Sequence, residues 1–130
     1  MNLIKGGVFL SELHLIIAPK NLNHIKWKVA CDVDSPLLGI NGATAVYGPQ
    51  KGASPKDIVL LEHSLNNFCR CISQQLGRSI GVLKGGGAAG GSAAGMYGFF
   101  NANLVSGFSL LAELVDLENE IEKADLIFTA

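Results

Sequence analysis

The run SPKDIVLLEHSLNNFCRCISQQLG, residues 54–77, predicts the longest helix of this chain. Ser54 stands as an N-cap, Pro55 suits the first helical position, and Asp57 falls where the acid of a capping box belongs. Ile58, Leu61, Leu65, Phe68, Ile72 and Leu76 recur at intervals of three and four. They form one apolar stripe, and Gly77 ends it. Such a helix must pack on a sheet or on another helix. Upstream, KWKVACDV (residues 26–33) is β-rich and alternating, and it runs into a loop containing Asp32, Asp34 and Ser35-Pro36. Downstream, residues 80–83 read as a short strand before the glycine segment at 85–91. Small residues then continue through Ala93 and Ala94 to Phe99 and Phe100, which suits a closely packed helix. Leu110, Leu111, Leu114 and Leu117 mark a further amphipathic helix, and Asp116 is placed to cap a second short one that includes Ile121. ADLIFT at 124–129 reads as a buried strand. Strands alternating with helical patterns define an α/β class.

Composition excludes several functions. The 130 residues are 48% hydrophobic and 16% charged, which is enough to bury a core and far from a disordered composition. A formal net charge of −1, with basic residues scattered singly, leaves no electrostatic footprint for nucleic acid. Cys31, Cys69 and Cys71 are odd in number and make no disulfide framework, and with His14, His24 and His63 they give no zinc spacing. No charge occurs between Lys84 and Glu113. That segment is long enough to span a bilayer, but its first half is glycine, alanine and serine, and Asn101 and Asn103 follow, so no membrane span is expected. Glu12 and His14 interrupt the apolar start before it resembles a signal peptide, and the chain reads as cytoplasmic. Sixteen glycines, about 12% against the roughly 7% of ordinary proteins, require close or left-handed backbone somewhere.

Three features can carry chemistry. Asp32 and Asp34 follow a strand, where ligand sites of open α/β sheets lie, and two acids two apart on extended chain point to one side. They can hold Mg²⁺ or accept a proton from a hydroxyl; alternatively, Asp34 caps the turn while Asp32 faces solvent. The segment Gly85-Gly86-Gly87-Ala88-Ala89-Gly90, extended by Gly91, fits G-x-G-x-x-G. Its backbone suits a carboxylate or phosphate, or else simply tight helix packing. Lys51, bounded by Gly48 and Gly52, is a cation able to meet a phosphate or carboxylate, or a solvated lysine before a helix. Ser92 lacks a nucleophile-elbow pattern, and Trp27 and Phe68 are expected in the core.

Taken together, these segments resemble the glycerate kinase family, the bacterial type I enzymes. VACDVDSPL at 29–37 is similar to the family's VACDVDNPL, NGATAVYGPQKGA at 41–53 matches its long central motif, and LKGGGAAGG at 83–91 resembles LPGAGAAGG. The terminal ADLI at 124–127 resembles the start of ADLVITGEG. The resemblance implies phosphoryl transfer from ATP to a hydroxyl of D-glycerate with Mg²⁺, giving 2-phosphoglycerate, and a fold of two α/β domains with the site in the cleft between them. It makes Asp32 and Asp34 the candidates for activating the hydroxyl or holding the metal. Lys51, Gly85, Gly87, Gly90 and Gly91 become candidates for binding substrate or phosphate.

The departures are equally specific. Ser35 stands where the family has Asn, and Lys84 where it has Pro. Family chains are roughly three times longer, so residues 1–130 are expected to form a single partial domain, an internal fragment that is inactive alone because a cleft missing one wall has lost most of its positioning. The rival expectation is a non-catalytic remnant or a small-anion or nucleotide-binding α/β module.

Overall fold

A computed structural model describes residues 6–17 and 24–128. Two short strands, β1 (Lys28–Ala30) and β2 (Asn103–Val105), pair in parallel with Lys28 opposite Asn103 and Ala30 opposite Val105. The ladder is extended at both ends, where Asn103 N–H donates to the Trp27 carbonyl and Cys31 N–H to the Val105 carbonyl, each at 2.8 Å. Parallel strands need a long crossover. Here it contains α1 (Ala43–Tyr47), α2 (Pro55–Leu76) and α3 (Ser92–Phe100). After β2 come α4 (Gly107–Leu114) and α5 (Leu117–Lys123). The α/β class is as read from the sequence.

Helix α2 follows its signals closely. Ser54 accepts from the Asp57 N–H, the Asp57 carboxylate accepts from the Ser54 N–H, and Gly77 ends the helix in the left-handed region. Its stripe meets the core, where Leu37, Ala43, Leu65, Phe68, Ile72, Ile80 and Ala94 pack together with Tyr47 and Phe99 at the margin. On its other flank, Asn67 Nδ2 donates to the carbonyls of Leu10, Ser11 and Leu13, and the buried Ser64 hydroxyl to that of Val8. Backbone groups of the N-terminal segment, which has no strand to pair with, are satisfied this way.

Four sequence expectations need correction. Residues 80–83 form no strand: Ile80 is buried in the core, and the chain turns at 81–82, where the Gly81 carbonyl accepts from Leu38 N–H at 2.9 Å. Residues 124–128 are neither strand nor buried, with Leu126 70% and Phe128 90% exposed; among the described residues no strand lies beside them. Thr129, the last residue of that expected strand, lies outside the described residues. Leu117 belongs to α5 and not to the helix of Leu110, Leu111 and Leu114, because Asp116 breaks the run with a φ of 50°. Trp27 is only half-buried, stacked on Phe100 at 5.2 Å between ring centroids. The sequence reading missed β2 altogether. Among the described residues, no helix is long and apolar enough to cross a membrane.

Candidate functional site at the carboxyl ends of the strands

Both strands deliver their carboxyl ends to the same edge, so the loops after Ala30 and Val105 meet. Asp32 occupies the first of these loops and reaches the second: its Oδ1 accepts from the Gly107 N–H at 2.8 Å, at the start of α4. A helix N-terminus favours a carboxylate through its unpaired N–H groups and its dipole. A Cβ at Gly107 would overlap the Asp32 carboxylate, so a side chain there must push that carboxylate aside. Asp32 Oδ2 accepts no hydrogen bond among the described residues.

Asp34 is highly exposed and pairs with Lys84 at 3.2 Å, an ion pair of little energetic weight at such exposure. The glycine segment lies directly on this acidic loop. Gly85 N–H donates to the Asp34 carbonyl at 3.4 Å and Gly87 N–H to the Ser35 carbonyl at 2.9 Å. A side chain at Gly87 would collide with the carbonyls of Ser35 and Pro36, and Gly91, at φ +103°, is packed against Leu37. The N–H groups of Gly86, Ala88 and Gly90 bond within the segment itself, to Leu83, Gly85 and Gly87.

Two cavities result. In one, of about 320 Å³, Asp32 shares the lining with Lys51, Tyr47 and the turn Ala88-Ala89-Gly90. The other, of about 260 Å³, takes in Asp34, Lys84, Gly85 and Ser106. Cys31 and Val33 line both. The structure therefore brings Asp32, Lys51 and Gly90 together, and sets Asp34 and Gly85 in a neighbouring cavity. Gly87 and Gly91 line neither, serving the packing of the loop. Extended chain would place both acids in one site, but β1 ends at Ala30 and the two acids of the loop beyond it line different cavities.

The sequence reading had not singled out Tyr47 or Gly107. Tyr47 comes into the cleft because 43–47 is helical; its hydroxyl donates to Ser35 Oγ at 3.3 Å. Gly107 had one local signal, Ser106 as the N-cap of α4, whose Oγ accepts from Ser109 N–H. Cys31, which lines both cavities, has its thiol pushed up from the ordinary value by burial and then by the charge of Asp32. No group of three or more His, Cys, Asp or Glu side chains among the described residues is placed to hold a metal ion.

Parallel strands, with a carboxylate, a lysine and a glycine turn lining one cleft at their carboxyl ends, define an α/β chain whose cleft lies where such folds place their ligands. The glycerate kinase family matches residues 2–130, and the chain belongs to that family. It is 40% identical over 128 residues to a glycerate kinase of Halalkalibacterium halodurans, covering 96% of this chain and 34% of that protein. With a glycerate kinase of Bacillus subtilis it shares 39% identity over 127 residues (95% and 33%). A glycerate 2-kinase of Escherichia coli K12 is 40% identical over 102 residues (78% and 27%). Among solved structures, a proposed glycerate kinase 2 from Salmonella typhimurium LT2 superimposes with a TM-score of 0.85 at 40% identity, over 92% of this chain and 33% of that one. The chain thus spans about a third of the relatives it matches.

Proposed function

We propose that this chain forms one wall of a glycerate kinase active site, in which a phosphoryl group passes from ATP to a hydroxyl of D-glycerate to give 2-phosphoglycerate. The observation that carries this reading is the single cleft shared by Asp32 and Lys51. Phosphoryl transfer needs positioning, neutralisation of phosphate charge and a group to receive the hydroxyl proton. Asp32 suits the last role: Gly107 orients one carboxylate oxygen and leaves the other for the substrate hydroxyl. Lys51 has no side-chain partner among the described residues and is assigned the phosphate or the glycerate carboxylate.

Magnesium enters this reading with ATP. Mg²⁺ typically takes one or two protein carboxylates together with substrate phosphates. Asp32 in the cleft and Asp34 in the neighbouring cavity each offer one carboxylate to an ion that arrives with the phosphates, and the described residues form no cage for a resident one. The ion supplies charge neutralisation on the phosphates.

Because the chain spans about a third of its relatives, turnover is assigned to the whole enzyme and binding to this part. The test is the melting temperature of the 130-residue chain with 2-phosphoglycerate, beside phosphorus NMR of the same chain with Mg-ATP and D-glycerate. The expected results are ligand-dependent stabilisation that Lys51→Gln abolishes, and no phosphoglycerate signal. No stabilisation by 2-phosphoglycerate, or equal stabilisation of Lys51→Gln, would overturn the assignment of this cleft.

A further inference from the structure

Lys51 has no side-chain partner among the described residues, so its place in the cleft is set by the backbone that carries it. That backbone is the single helical turn Pro49–Lys51, which follows directly on α1. The Gly48 N–H donates to the Thr44 carbonyl at 2.9 Å, and the Gly48 carbonyl accepts from the N–H groups of Lys51 and Ala53, each at 3.0 Å. Residues 43–53 are therefore one hydrogen-bonded unit. Helix α1 has only five residues, too few to persist in water without outside support. The direction of the unit has to be fixed from elsewhere in the fold.

Glu62 reaches it from α2. Its Oε1 accepts from the Gly39 N–H at 2.7 Å, in the turn that leads into α1, and its Oε2 accepts from the hydroxyl of Thr44, which is buried in the first turn of α1. Hydrogen bonds to a carboxylate are stronger than those between neutral groups, and one carboxylate here takes two. Among the described residues, the one other side-chain hydrogen bond that reaches residues 37–53 from outside joins Tyr47 to Ser35, at 3.3 Å. Glu62 itself lines neither the cleft of Asp32 nor the cavity of Asp34. We propose that Glu62 is a positioning residue for the cleft: by clamping the start of α1 it fixes the turn that places Lys51 beside Asp32. The inference rests on the kinase reading above for the ligand that Lys51 meets. The role needs two hydrogen-bonding atoms at the end of a side chain of this length, and no charge. An amide at position 62 accepts from the Gly39 N–H and donates to the Thr44 hydroxyl oxygen, whereas alanine does neither.

The experiment is calorimetric titration of the 130-residue chain with 2-phosphoglycerate, beside hydrogen exchange of its backbone amides. In Glu62→Ala the turn occupies its binding position only part of the time, and a competent fraction of about one tenth weakens 2-phosphoglycerate about tenfold. Glu62→Gln is expected to restore binding to within about twofold of the unaltered chain. The Gly48 and Lys51 amides exchange faster in Glu62→Ala and at the original rate in Glu62→Gln. Ile72→Val weakens the core from the far part of α2 and controls for stability alone, leaving both readouts unchanged. Should Glu62→Ala fail to fold, Thr44→Val, which keeps the shape and removes the hydroxyl, takes its place. Unchanged affinity in the alanine or valine variant, unchanged exchange at Gly48 and Lys51, or an equal loss in Glu62→Gln overturns the positioning role and leaves the kinase reading standing. If the unaltered chain binds no 2-phosphoglycerate, the kinase reading falls and the role falls with it.

Discussion

The contact between Asp32 and Gly107 makes a prediction whose sign depends on the partner. Helix α4 has eight residues, too few to be stable alone, and leaves Leu111 and Leu114 largely exposed. It is tied to β1 and the following loop by the 2.8 Å ion pair of Lys28 with Glu113 and by the 2.8 Å bond from Gly107 N–H to Asp32. A hydrogen bond to a charged group contributes about 1.5–3 kcal/mol and the helix dipole about 0.3–1 kcal/mol; solvent at an exposed carboxylate keeps the total for Asp32→Ala near 1–2 kcal/mol. Asp32→Asn retains an acceptor and is expected to cost about 0.5 kcal/mol. Gly107→Ala in the unaltered chain must displace the Asp32 carboxylate, giving a net loss of about 1 kcal/mol even though alanine is the better helix former. In the Asp32→Ala background that obstacle is gone, and Gly107→Ala should stabilise by up to about 1 kcal/mol. Urea denaturation followed by circular dichroism measures all four corners of this cycle. If Gly107→Ala stabilised both backgrounds equally, Asp32 would not rest on the helix terminus, and its assigned orientation in the cleft would be lost with it.

Removing the cap of α2 by Ser54→Ala should cost about 1 kcal/mol by urea denaturation, and an unchanged midpoint would exclude the capping box. Asp57 accepts from the side chain and N–H of Ser54, which hold its carboxyl below the ordinary 3.8. A depressed carboxyl stabilises the fold above 3.8 and stops doing so as pH falls through its folded value, so the difference between Ser54→Ala and the unaltered chain should narrow below that pH to the share of the Ser54 Oγ cap bond, which does not titrate. Burial, and then the charge of Glu62, push the Cys69 thiol from 9.0 up to about 11. At pH 8, mass spectrometry should therefore find it alkylated about a hundredfold more slowly than an ordinary thiol, and Glu62→Gln should narrow the difference. Because this pKa is raised in the fold, stability should also decline as pH rises from 9.0 towards 11. Ile72 is fully buried, so Ile72→Ala should cost about 2–5 kcal/mol in the same denaturation assay; a loss below about 1 kcal/mol would mean that the site collapses on substitution.

What could be read from the sequence was what is decided locally. Helix α2 carries its own cap, stripe and stop, and all three appear in the structure. Strand β2 has three residues and no local signature; it exists because β1, more than seventy positions earlier, offers a parallel edge to Asn103–Val105. The converse error has the same origin. Residues 80–83 and 124–128 have strand-like composition, but a strand needs a partner, so Ile80 enters the core by way of a turn while Phe128 stays in solvent. The site divides along the same line. Asp32 was legible from its position after a strand, whereas its separation from Asp34 depends on how the loop beyond Ala30 rests on Gly85 and Gly87. Gly107 shows the limit most clearly. Nothing near it in sequence calls for glycine, and the group a Cβ there would meet is a carboxylate seventy-five residues away. Residues whose surroundings are set by such a distant group are the ones a local reading passes over, and in this chain they are also the ones that aim the candidate base at its cleft.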